Sequence, residues 1–356
     1  MVTVSVVAGG VYLWPQYVVK AEGTNGVWAL LTTTGLALGV MTLQVLWVKM
    51  TKKTPYALMV RDTLGVVGLW VVMPVTGLFC LIIDGILLFL FGAMLHVFFY
   101  PMTPEIVMIG TIDVAAVWIG IRTLSTVARS IQFWFPIIMV SLAMILLFSS
   151  RDIRFLSSIV PTPTLVVPQW LRASLGTWFL YANGAVVASL APHVRWPGRA
   201  RPLLWTGLAI GFQGSILLIL FAITLATLGA PAVAQLQWPM IYVFSLVSVR
   251  TFFFKGIGMF VLITWASALV LYLAVHLFCF SWNIQAMVDA SFRARRWIVV
   301  AAGAVVFGIA VLIPSSIKAE QLLFGLMNPV DLSWSLGVLM LSVMVAWIRR
   351  RRSKSQ

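Results

Sequence analysis

Four places in this sequence carry residues whose types and spacing could do chemistry. The first is Ala8-Gly9-Gly10-Val11-Tyr12-Leu13-Trp14-Pro15, where a glycine pair is followed five residues later by proline inside an apolar segment. Gly costs about 1 kcal/mol and Pro about 3 kcal/mol in a helix interior, so this stretch predicts a broken helix. The second is Gly176-Thr177-Trp178-Phe179-Leu180-Tyr181-Ala182-Asn183-Gly184-Ala185, in which Asn183-Gly184 is a turn-forming dipeptide within apolar surroundings. The third and fourth are two carboxylates embedded in apolar runs, Asp84 and Asp113. A charge at bilayer depth is expensive, and it marks either a functional site or a residue paired within the bundle.

The chemistry open to the two breaks is that of ligand binding. Irregular backbone in a membrane survives only where it is buried in protein or lines a cavity, and transporters place ligands against such broken helices. Unwinding at Gly9 and Gly10 would expose N–H groups at the start of the next half-helix, which attract a carboxylate. Freed carbonyls near Tyr181 to Asn183 would accept from an ammonium or hydroxyl group. No Lys or Arg flanks either break closely, so the backbone supplies most of the polarity, which favours a small zwitterion or a neutral polyol. The expected ligand set is Gly9, Gly10, Val11, Phe179, Tyr181, Asn183 and Gly184, with Asp84 nearby. The competing account of each glycine is close helix packing. For either break alone packing explains enough; the matched pair favours a site. Asp84 and Asp113 keep two readings each: a proton, cation or ligand contact, or a structural hydrogen bond to a neighbouring helix.

Enzymatic constellations are missing from the sequence. It has no His-Glu-x-x-His, no Gly-x-Ser-x-Gly elbow and no P-loop. His96, His193 and His276 lie in different spans or span ends without ligand spacing, and read as buried or interfacial imidazoles with satisfied hydrogen bonds. Cys80 and Cys279 sit in apolar runs and read as core residues, suggesting neither a disulfide framework nor a metal site. No catalytic residue, metal or cofactor is expected.

These residues need membrane helices to position them. The chain is 62% hydrophobic and 9% charged, with mean hydropathy +1.04, against roughly 25% charged in soluble proteins. Its apolar runs are continuous rather than alternating, which excludes a β-barrel. Ten runs of spanning length fall at about 2–20, 26–48, 66–99, 105–124, 131–150, 173–192, 203–229, 256–282, 297–315 and 333–348. A shorter apolar stretch at 238–252 reads as a re-entrant or surface helix. The first span starts almost on Met1 and has neither a basic lead-in nor a small-x-small cleavage site, so no cleavable signal peptide is expected.

Loop charges set the orientation. Lys49, Lys52, Lys53 and Arg61 follow span two; Arg122 and Arg129 follow span four; Arg195, Arg199 and Arg201 follow span six. Arg293, Arg295 and Arg296 follow span eight, and Arg349 to Arg352 with Lys354 follow span ten. All fall on one side, so both termini are expected in the cytoplasm of a multi-pass cell-membrane protein. The net charge of +15 is accounted for by this bias, and no nucleic-acid partner is expected. The expected architecture is all-α, one transmembrane domain over 1–356. A first half-repeat covers about 1–150, a second about 173–348, and a basic cytoplasmic tail 349–356. The second break lies five spans after the first, in the corresponding position of the second half, as in inverted-repeat transporters.

With this layout, Ala8-Gly9-Gly10 and Leu13-Trp14-Pro15 resemble the spore germination protein AB family, the B subunits of nutrient germinant receptors. Gly23 to Trp28, Thr103-Pro104, Val127-Ala128-Arg129, Trp238-Pro239 and Trp265 fit the same pattern, which covers essentially the whole chain. The resemblance implies the amino acid–polyamine–organocation superfamily and a LeuT-type fold of inverted five-helix repeats with helices one and six broken. It implies a transporter-like subunit in the spore inner membrane, working in membrane lipid with an A subunit and a lipoprotein C subunit. Such a subunit senses a small nutrient such as an amino acid and signals germination. Gly9 and Gly10 correspond to the family's first break, and Asn183-Gly184 to its second. Many members carry an acidic residue after that second glycine, where this chain has Ala185-Val186. Recognition of an amine would therefore fall to Asp84, or the ligand is neutral. Two further readings stay open: an amino-acid permease coupled to proton or cation flux, and a structural subunit or passive conduit.

Overall fold

The computed structural model describes residues 13–51, 55–162, 164, 166–181, 184–190, 202–246 and 257–352, and among these every regular element is helical. Pro15 occupies the first turn of α1 (Trp14–Glu22), where its missing N–H costs nothing and its fixed φ suits the helix. A 3₁₀ turn, Gly23–Asn25, leads directly into α2 (Gly26–Met50). Then follow α3 (Tyr56–Phe98), α4 (Glu105–Gly120), α5 (Leu124–Ser149) and α6 (Val167–Gly176). The second half holds α7 (Gly184–Leu190), α8 (Pro202–Leu228), the short α9 (Ala230–Gln235) and α10 (Pro239–Leu246), then α11 (Ile257–Val288) and α12 (Phe292–Leu312). It ends with α13 (Ser316–Leu322), a π-helical turn at Leu323–Met327 and α14 (Asn328–Arg352).

Seven stretches are long and apolar enough to cross a membrane among the described residues: Trp14–Met50, Tyr56–Phe98, Leu124–Asp152, Pro202–Leu228, Phe260–Val288, Phe292–Leu312 and Ser316–Arg351. Three of the ten expected spans account for the difference. The span at 2–20 lies largely outside the described residues. That at 105–124 is α4, whose 16 residues reach only about 24 Å against a hydrocarbon core of about 30 Å. That at 173–192 is not one helix but the discontinuous pair α6 and α7. The 238–252 stretch contains α10; Trp238, Met240, Ile241 and Val243 are buried while Tyr242 is exposed, so its described part packs one face against the bundle.

The third span begins ten residues earlier than hydropathy suggests. Arg61 and Asp62 are exposed while Tyr56, Ala57, Met59 and Val60 are buried, which is the pattern of an amphipathic turn continuing the span outward. Gly65, at φ 78° and ψ −175°, separates this piece from the rest of α3. That conformation is open to essentially glycine alone.

Packing centres on α11, which lies against α3, α4, α5, α7 and α12, while α2 lies against α6, α7, α8 and α14. α14 also touches α3 and α6, so it joins the two groups. Arg295, which the loop-charge reading placed in a cytoplasmic cluster, is instead fully buried at the start of α12. Its guanidinium donates to the carbonyls of Gly120 (3.3 Å), Ile121 (3.1 Å) and Arg122 (2.8 Å) and to Ser281 Oγ (3.3 Å). The positive charge thus sits on the carbonyl end of α4, where the helix dipole favours it, and it lies over the rings of Phe278 and Phe292.

Candidate functional site

The chain is broken where Asn183-Gly184 suggested, though over a longer interval. α6 stops at Gly176, a 3₁₀ turn runs from Trp178 to Tyr181, and helix resumes at Gly184 as the first residue of α7. Gly176 is needed for a close approach: a Cβ there would lie 2.4 Å from Tyr17 of α1. Phe179 and Tyr181, both expected at the site, lie in the 3₁₀ turn, and all four of its residues are buried. Gly9, Gly10, Val11 and Asn183 lie outside the described residues.

Packing brings the segment after the first glycine pair against the segment before the second break. α1 lies along α6, and the Tyr17 hydroxyl donates to the Arg172 carbonyl at 3.0 Å. The Tyr17 ring stacks on Phe324 of the π-helical turn at 4.3 Å, and Phe179 meets the same ring edge-on at 5.6 Å.

The carbonyls released by the break are largely taken by side chains from other helices. Asn328 Nδ2 donates to Gly176 O at 2.6 Å, and Gln213 Nε2 donates to Leu180 O at 2.6 Å. Thr33 Oγ1 donates to Ser174 O at 2.8 Å. The Trp178 indole donates to Asp331 at 3.2 Å, and the Tyr181 hydroxyl pairs with Thr34 Oγ1 at 2.8 Å. The polarity expected from bare backbone is therefore passed outward: Gln213 Oε1 and Asn328 Oδ1 are buried acceptors with no partner among the described residues. Neither residue was singled out from the sequence. The available signal was a lone amide in an otherwise apolar span, which Gln213 shows and which Asn328 shows at a span boundary.

Asp84 is fully buried in α3, and the partner it finds is a histidine. His276 Nδ1 of α11 lies 2.7 Å from Asp84 Oδ1. Cys80, one turn before Asp84, brings its Sγ to 3.6 Å from Asp84 Oδ2 and 3.7 Å from His276 Nδ1. Tyr272, one turn before His276, packs on the imidazole at 4.1 Å. Asp113 is buried on α4, its Oδ1 without a partner among the described residues, beside Gly303 of α12. His96 is satisfied as expected, donating from Nδ1 to Thr103 O at 3.0 Å.

Two clefts border this region. One is lined by Cys80, His276, Cys279, Asn283 and Val186 among others, and the second by Gln44, Trp47, Ser335 and Leu339; they share Tyr56 and Thr76. Both cysteines are free thiols. Sequence spacing gave no hint of the Cys80–Asp84–His276 cluster, because 192 residues separate its two halves.

Comparison with curated proteins gives no match. A family profile described as spore germination protein matches residues 1–319, nine-tenths of the chain and all of the helices that form the break and the buried cluster except α14. A transporter-like, multi-pass helical protein of spore germination accounts for both the apolar helices and the match, and by that match the chain belongs to the spore germination protein family.

Proposed function

We propose that this protein is the transporter-like membrane subunit of a spore germinant receptor. It binds a small nutrient, an amino acid or similar, between broken helices one and six, and passes the signal on to germination. The observation that carries the reading is the discontinuity between α6 and α7, whose 3₁₀ turn Trp178–Tyr181 is buried and flanked by the amide oxygens of Gln213 and Asn328, which have no partner among the described residues. In a water-poor bundle such acceptors favour a donor such as an ammonium or hydroxyl. A carboxylate of the same nutrient would meet the N–H groups around Gly9 and Gly10. The loop charges favour both termini in the cytoplasm of the spore inner membrane. The family reading supplies the expected partners, an A subunit and a lipoprotein C subunit, and a LeuT-type repeat.

The test is germination of spores lacking the gene, complemented with wild type or with Gly184→Leu, across a panel of amino acids and sugars. Wild type should restore the response to at least one nutrient. The variant, present in the membrane at the wild-type level, should not; an unchanged response from it would remove the break from the binding site.

A second reading, an amino-acid permease coupled to proton or cation flux, is favoured by the buried Asp84–His276 pair. Uptake of a labelled amino acid by proteoliposomes, driven by an imposed proton gradient, would distinguish it from a sensor that binds without transport.

A further inference from the structure

Cys80, Asp84 and His276 place a sulfur, a carboxylate oxygen and an imidazole nitrogen within 4.8 Å of one another. We infer that these three residues form a binding site for Zn²⁺, with a fourth coordination position open to the adjacent cleft.

The donor set is the first argument. Thiolate, imidazole and carboxylate are the ligands zinc takes in proteins, and three protein ligands plus an open position is a recurrent arrangement. Geometry is the second. Zn–S near 2.3 Å and Zn–N or Zn–O near 2.0 Å at tetrahedral angles put sulfur about 3.6 Å from each of the other two ligands. Cys80 Sγ stands 3.6 Å from Asp84 Oδ2 and 3.7 Å from His276 Nδ1. The Asp84 carboxylate faces Cys80 with Oδ2 and His276 with Oδ1, so it must turn to present one oxygen to the ion, and the 2.7 Å contact to Nδ1 must open to about 3.3 Å at a tetrahedral zinc.

Charge is the third argument. A bare divalent cation in a bundle core would be prohibitive, but the thiolate of Cys80 and the carboxylate of Asp84 cancel its two charges. On binding, the Cys80 thiol proton leaves to solvent and His276 takes the neutral tautomer protonated at Nε2, so that Nδ1 is free to coordinate.

An independent observation points to a ligand on the open side. Asn283 is 4% exposed and lines the cleft shared with Cys80 and His276. Its Nδ2 is fixed by Ser189 Oγ at 2.8 Å, while its Oδ1 has no partner among the described residues and would accept from a zinc-bound water. The second cleft shares Tyr56 and Thr76 with this one and is lined by Trp47 near the end of α2. An ion here would tie α3 to α11, and through Asn283 and Ser189 to α7, the half-helix beyond the break.

Co²⁺ serves as the spectroscopic stand-in for zinc. Full-length protein purified in detergent, stripped with chelator and titrated with Co²⁺ should develop a thiolate-to-cobalt charge-transfer band at one equivalent, together with the intense visible bands of a tetrahedral ion. Zn²⁺ should then erase both. Cys80→Ser should abolish the charge-transfer band and His276→Gln should weaken binding at least tenfold, whereas Cys279→Ser should leave both features intact. Cys80 is only half-buried and makes weak sulfur contacts, so its serine variant is expected to elute as the wild type and to keep the test decisive if His276→Gln misfolds. No charge-transfer band in the wild type, a band that persists in Cys80→Ser, or one lost in Cys279→Ser would each overturn the assignment.

Discussion

His276 and Asp84 are 192 positions apart in the chain, and His276 Nδ1 lies 2.7 Å from Asp84 Oδ1, both residues buried and carried on α11 and α3. The pair joins the two halves of the sequence at the centre of the bundle, since α11 also packs on α4, α5 and α12. It differs from a surface ion pair in what its loss would do. Removing one member takes from the other its shortest buried hydrogen bond, which costs about 1–3 kcal/mol or more where the group is charged.

The pair should therefore show strong non-additivity. Asp84→Asn keeps an acceptor for the imidazole N–H and should cost about 1 kcal/mol, whereas Asp84→Leu should cost several times as much. Adding His276→Leu to Asp84→Leu should recover part of that loss, because no stranded polar group remains. Thermal unfolding of the four proteins in one detergent checks this; simple additivity would show that the hydrogen bond contributes little. Germination profiles of the Asp84→Asn strain provide the functional half of the experiment. If Asp84 reads the nutrient, the order of preference among amino acids changes.

Gln213 and Asn328 each cover a carbonyl of the broken helix, so their role can be separated from general packing. Gln213→Leu and Asn328→Leu should each cost about 1–3 kcal/mol by stranding a buried acceptor. Gln213→Glu should instead hold an acceptor oxygen at the same place but forfeit the donor to Leu180 O. If the free Oε1 contacts a nutrient ammonium, Gln213→Glu retains a response while Gln213→Leu loses it, measured as the nutrient concentration for half-maximal germination. Equal loss in both would assign Gln213 to structure alone.

Arg295 is tested by substitution with lysine. The guanidinium reaches three successive carbonyls and Ser281 from one planar group, which a single ammonium cannot imitate. Arg295→Lys should lose about 2 kcal/mol or more, given about 1.5–3 kcal/mol for a hydrogen bond to a charged group. Arg293→Lys, in the same basic cluster by sequence, should be neutral within about 0.5 kcal/mol. Denaturation midpoints in a common detergent compare the two.

Much of the scaffold was legible because proline and glycine punctuate it. The apolar run from residue 105 starts where α4 starts, directly after Thr103-Pro104, and Asn183-Gly184 foretold a break that ends with α7 starting at Gly184. Hydropathy failed where charge and burial part company. Arg61 and Asp62 hid the amphipathic turn at the start of α3, and Arg295 was counted as a loop charge although its fork caps a neighbouring helix. Long-range partners were out of reach altogether. Nothing local to Asp84 indicates His276, and nothing near Leu180 indicates Gln213, because such pairings are set by how helices pack rather than by any spacing along the chain.

Gly176 offers the sharpest test of the contact between the two half-helices. A Cβ at this position would fall 2.4 Å from the Tyr17 ring, too close for any adjustment short of moving the ring away from Phe324 and opening the Tyr17–Arg172 hydrogen bond. Gly176→Ala should thus destabilise the protein by about 1–3 kcal/mol through overpacking, even though alanine is the better helix former. Tyr17→Leu alone should lose the stack and the hydrogen bond. Because it also vacates the space that the new methyl needs, the double variant should be more stable than the sum of the two singles predicts, by about 1 kcal/mol or more. A cycle of unfolding measurements on the four proteins reads that coupling directly; a coupling near zero would mean that α1 and α6 do not meet at Tyr17 and Gly176.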